Sequence, residues 1–87
     1  MVSVKRLVLD VLKPHTPNSL DFAKALAEQG VGYQVKFTVM EVDEKTETVV
    51  ILIEGEDIQF ESIANTINNL GGSIHSIDEV EVINSSN

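Results

Sequence analysis

Two spacings take turns along this 87-residue chain. Residues 2–12, VSVKRLVLDVL, are rich in leucine and β-branched side chains. They read as a buried strand with Leu7, Leu9 and Val11 on one face and Arg6, Val8, Asp10 and Leu12 on the other. Pro14 is expected to end it. Thr16-Pro17 then suits the opening of a helix, threonine as N-cap and proline at the first helical position. Leu20, Ala23 and Ala27 follow at helical spacing, Phe22 and Leu26 widen the stripe, and Gly30 offers a stop. Residues 31–42 return to period two. Val31, Tyr33, Val35, Phe37 and Val39 face one way, and Gln34, Lys36, Thr38 and Met40 the other, as in a sheet with one buried and one wet side. Asp43-Glu44-Lys45 reads as a hairpin turn, and residues 46–54, TETVVILIE, as the returning strand. After Gly55, Asp57 is a candidate cap for a second helix. Its stripe is Ile58, Phe60, Ile63, Ala64, Ile67 and Leu70. Gly71-Gly72 closes it, SIHSIDEVEVI forms a fourth strand, and residues 84–87 read as a flexible tail after a single domain over 1–83.

The order βαββαβ predicts an α+β fold of the ferredoxin-like kind. It is a four-stranded antiparallel sheet, order 4-1-3-2, with two helices on one face. Its open face would show Val8, Leu12, Met40, Val42, Val50 and Leu52 among Arg6, Asp10, Lys36 and Thr38. So many aliphatic side chains on an uncovered face predict a homo-oligomer.

Composition narrows the functions. With no cysteine there are no disulfides, no CxxC redox chemistry, no thiolate metal site and no cysteine-held cluster. Such a small domain must draw its stability from helix-on-sheet packing or from association. Fourteen acidic residues against six basic give a net charge of −8, spread along the chain. That surface repels nucleic-acid backbones and anionic lipid. The four phenylalanine and tyrosine rings are needed in the core, so no stacking platform for RNA bases is expected. The N-terminus lacks the order of a signal peptide, and no stretch reaches the roughly 20 apolar residues of a membrane span, so a cytoplasmic protein is expected.

Topology gathers the chemistry-bearing residues. The end of the first strand lies beside the start of the fourth, which brings Asp10 and His15 toward His75 and Asp78, with Asp43, Glu44 and Glu47 of the hairpin at the same end. Two histidines with two carboxylates suit a divalent cation, although no compact ligand motif spans them. The plainer reading makes His75 a wet strand residue, His15 a loop residue, and Asp78, Glu79 and Glu81 a solvated edge. Glu54, Glu56 and Asp57 lie at the opposite end of the sheet. Between the first strand and first helix, KPHTPNS is no glycine-rich phosphate cradle, and Ser73 and Ser76 lack the surroundings of a nucleophile.

Three strings, LVLDVLKPHTP at 7–17, EVDEKTETVVILIEG at 41–55 and LGGSIHSIDEV at 70–80, are similar to a small, mainly archaeal family, the domain of unknown function numbered two-hundred-and-eleven. The resemblance covers nearly the whole chain. It implies a ferredoxin-like fold that assembles into oligomers, and it carries no activity or catalytic residues to transfer.

The expectation is a non-enzymatic, homo-oligomeric module that binds a small ligand or cation, with regulatory domains of the same strand order as a fold-level analogy. The alternatives are a metal-dependent enzyme using Asp10, His15, His75 and Asp78, and a protein-interaction scaffold with no small ligand.

Overall fold

A computed structural model describes residues 1–86. The elements are β1 (Val2–Pro14), α1 (Ser19–Ala27), β2 (Gln34–Val42), β3 (Thr46–Glu54), α2 (Phe60–Asn69) and β4 (Ser73–Asn84). The sheet order is β2-β3-β1-β4, with every neighbouring pair antiparallel. This is the ferredoxin-like arrangement that the alternation of periods two and 3.6 predicts.

Alternation sets the core. Leu7, Leu9 and Val11 of β1 lie beside Val49, Ile51 and Ile53 of β3 on the helix-covered face. Phe22 and Leu26 from α1, and Ile58, Ile63 and Ile67 from the α2 region, close over them. Phe22 also meets the Phe37 ring, centroids 5.5 Å apart. The helices are shorter than the strands they cover. At about 3.3 Å per residue a 13-residue strand runs about 40 Å, whereas a ten-residue helix spans about 15 Å. The molecule is accordingly elongated, 49 × 22 × 18 Å, and Val2, Val80, Val82 and Ile83 remain exposed.

Local chemistry corrects several details. The N-cap of α1 is Asn18, not Thr16: its Oδ1 accepts from the Asp21 backbone N–H at 2.9 Å. Leu20 is exposed. Gln59, not Asp57, stands at the α2 N-terminus, and no side chain caps that helix. Instead the Gln59 N–H donates to the Tyr33 hydroxyl at 2.7 Å. The sharp exit from α2 needs Gly71, whose φ is +88°, where a Cβ is strained. Its N–H donates to the Asn68 carbonyl and that of Gly72 to the Ile67 carbonyl.

Bulges produce the larger departure. Between Val39 and Glu41 the β2–β3 register shifts, so Met40 is an extra residue. Beyond it the alternation reverses. Glu41 comes opposite Thr48 on the open face, and Val42 opposite Glu47 on the other. Val42 therefore leaves the open-face set expected of it, and Val39, expected in the core, is exposed. At the other end, Asn84 is the last residue of β4, and the Ser85 N–H donates to the Met1 carbonyl at 2.7 Å. Asn87, the end of the expected tail, lies outside the described residues.

Candidate functional site

The open face holds a shallow hollow of about 250 Å³ lined by Asp10, Leu12, Thr48 and His75. Register explains the grouping. Leu12 lies opposite Thr48, and Asp10 lies between Val50 on one side and Ser76 on the other. β4 carries two bulges against β1, because the pairing steps from Val8–Glu79 to Leu9–Ile77 and from Asp10–Ser76 to Val11–Ile74. The extra residues are Asp78 and His75. A bulge frees its residue from strict alternation and re-aims the side chain, and here it lets His75 join Asp10 at the hollow.

The four residues expected to share a cation do not meet. Asp10 and His75 share the hollow. Asp78 is turned to its own strand, where its Oδ1 accepts from Ser76 Oγ at 2.6 Å. His15 lies with the hairpin. Its Nδ1 is 2.8 Å from Glu47 Oε2, and its Nε2 is 2.9 Å from the Glu44 carbonyl. Both ring nitrogens thus face oxygens of the hairpin, away from Asp10 and His75. Among the described residues no three histidine, aspartate or glutamate side chains gather closely enough to hold a metal ion.

Around His15 stands a polar group that sequence reasoning missed. Lys13 is only 1% exposed, and its ammonium donates to Glu47 Oε1 at 3.2 Å while lying 5.8 Å from the Phe22 ring centre. The signal was present in the alternation. Position 13 continues the buried series 7, 9, 11, and Glu47 is directly opposite it on β3. Glu47 thus takes Lys13 on one oxygen and His15 on the other. The hydrogen bond to Glu47 raises the His15 pKa above its ordinary value, helped by the Glu44 carbonyl and opposed by burial. The hydrogen bond from His15, and then that from Lys13, holds the Glu47 carboxyl below the usual carboxylate range.

A buried charge stripped of its partner is costly, while replacing the whole pair by apolar side chains of similar volume is often neutral or stabilising. Glu47→Ala should therefore lower the denaturation midpoint much more than Glu56→Ala, which removes the exposed 2.9 Å partner of Lys5. Replacing the whole pair, Lys13→Met together with Glu47→Leu, should cost less than Glu47→Ala alone. Urea denaturation of the three variants at neutral pH checks this ordering. Equal, small losses for the two glutamates would show that Lys13 does not depend on Glu47.

Toward the opposite end of the sheet, Arg6 binds Glu79 through Nε at 2.7 Å and Glu54 through Nη1 at 3.2 Å, spanning β4, β1 and β3. Beside it lies a second hollow of about 260 Å³, lined by Arg6, Val8, Lys36, Thr38, Val50, Leu52 and Glu79. The open face is therefore an aliphatic band crossed by charged side chains. Among the described residues, no helix is long and apolar enough to cross a membrane.

Comparison with known proteins places this architecture. The family model DUF211, described as uncharacterized ArCR, matches residues 5–85. The uncharacterized protein MJ0319 of Methanocaldococcus jannaschii is 46% identical over 80 residues, which span 92% of this chain and 82% of that protein. The matched region takes in β1 from Lys5 onward, the hairpin with its Lys13–Glu47–His15 group, and the bulged part of β4. The chain belongs to the DUF211 family and has a relative in an archaeon.

Proposed function

We propose that this protein is a cytoplasmic, homo-oligomeric, non-enzymatic module that binds a small ligand or a divalent cation at the Asp10–His75 hollow and serves regulation. The observation that carries the reading is the open sheet face. Val8, Val50, Leu52 and Leu12 form a band that no helix covers, and the hollow with its carboxylate and imidazole opens within it. Aliphatic surface of this kind marks interfaces, and its interspersed charges suit a contact that is partly wet. A cation in the hollow finds two donors from one chain, Asp10 and His75. Divalent ions take four or more ligands, so a second copy or water completes the shell.

Native mass spectrometry of untreated protein is the first test. A multiple of the 9.5 kDa chain mass that carries extra ligand or metal mass supports the reading. A bare monomer refutes it. A divalent cation added to metal-free protein should raise Tm by mass action, about 2.7 kcal/mol of stabilisation at one hundred times Kd. His75→Ala should abolish the rise, because it removes the imidazole donor from the hollow. An undiminished rise in His75→Ala would remove His75 from the site.

A further inference from the structure

We propose that His15 is a doubly protonated clasp joining the β1–α1 loop to the β2–β3 turn, and that loss of one ring proton releases this end of the sheet. The inference is independent of the ligand reading above, and it rests first on the chemistry of the two contacts. Nδ1 faces a carboxylate oxygen of Glu47 at 2.8 Å, and Nε2 faces the backbone carbonyl oxygen of Glu44 at 2.9 Å. Both partners only accept hydrogen bonds. A neutral imidazole has one N–H, so it would leave one of these contacts as two opposed lone pairs. Only the imidazolium donates to both.

The surroundings suit that charge. Glu47 on β3 is the facing carboxylate, and its side chain is 15% exposed. Lys13 on β1 is the one cation held in the group, and it occupies the other Glu47 oxygen. From the turn come Asp43, Glu44 and Lys45, all exposed. From α1 the Phe22 ring, not a charge, lies against Lys13. The clasp reaches across sequence from residue 15 to residues 44 and 47. It steadies a turn closed by the Asp43 N–H donating to the Thr46 carbonyl at 2.8 Å.

Deprotonation has a defined local consequence. One of the two His15 contacts turns repulsive, the ring leaves the Glu44 carbonyl or Glu47, and the turn loses its tether. The hollow of Asp10, Leu12, Thr48 and His75 lies on the next rung of the same strands, because Leu12–Thr48 adjoins Lys13–Glu47. The clasp thus gives the chain a pH-dependent hold on the end of the sheet that walls this hollow. The direction follows from linkage. A histidine whose pKa is raised by folding stabilises fully below its unfolded value, and that contribution is lost as pH rises through the folded value. Glu47, lowered by folding, contributes above the unfolded carboxylate value and loses this as pH falls through its lowered one. The clasp is closed between the two.

Two measurements on the full chain test it. In His75→Gln, His15 is the one histidine left, since the chain has two. Its ring nitrogens, followed by long-range 1H–15N NMR, should both be protonated at pH about 6.5, the ordinary histidine midpoint, with the titration midpoint above it. A midpoint at or below that value overturns the proposal. Hydrogen exchange at the Asp43 amide, corrected for base catalysis, should be slower in wild type than in His15→Ala below the midpoint, and the two should converge above it. Equal exchange throughout, with no step as His15 titrates, also overturns it.

Discussion

Ile63→Ala should destabilise the protein by about 2–5 kcal/mol, the cost of truncating a large aliphatic side chain in a core that relaxes only partly. Ile63 is fully buried on α2, within the cluster of Leu7, Leu9, Val11, Phe22, Leu26, Val49, Ile51, Ile53, Ile58 and Ile67. These residues, with partly buried side chains such as Phe37, Phe60 and Ile74 packed against them, form the core of an 87-residue chain with no disulfide to restrain its unfolded state. A domain of this size has a total stability of roughly 5–15 kcal/mol, so the loss removes a large part of it. Urea denaturation gives the number, with both proteins at one concentration because association adds to apparent stability. A loss below about 0.5 kcal/mol would mean that α2 does not rest on the sheet through Ile63.

The same residue shows why the fold was legible. Phe60, Ile63 and Ile67 can pack on the core from one side only if the segment is helical, and Leu7, Leu9 and Val11 only if theirs is extended. These periods persist over whole elements, and strand order then follows from the compactness of βαβ connections. Caps and bulges are decided by a few atoms. Thr16 and Asn18 are both good N-caps, and the choice fell to the one whose side chain reaches the Asp21 N–H. Met40, His75 and Asp78 became extra residues because of the strand beside them, which a single strand's pattern does not encode.

The candidate site was legible to the same depth. Topology brought Asp10 and His75 together, and it placed His15 correctly at the hairpin end of the sheet. It did not foresee that Glu47 and the Glu44 carbonyl would take both His15 nitrogens, because that depends on distances of a few ångströms. Lys13 was overlooked for a different reason. The strand is read only to Leu12, one residue short of it, and a lysine is rarely fully buried.

Leu52→Asp carries the second large effect. In a single chain Leu52 lies in the middle of the open face, opposite Val8 on β1 and Lys36 on β2. Arg6 and Lys36 line the same hollow, so an isolated chain can accommodate a carboxylate there and keep its fold. An interface cannot do so as easily, because each copy would bring a new charge into a desolvated contact, and a buried charge without a dedicated partner costs several kcal/mol. The variant should therefore keep the circular-dichroism spectrum of the wild type and lose its association. Light scattering after size exclusion at micromolar concentration tests this most directly. The open-face interface requires a wild-type mass that is a multiple of 9.5 kDa and a Leu52→Asp mass of one chain. A monomeric wild type, or a variant of unchanged oligomeric mass, would contradict it.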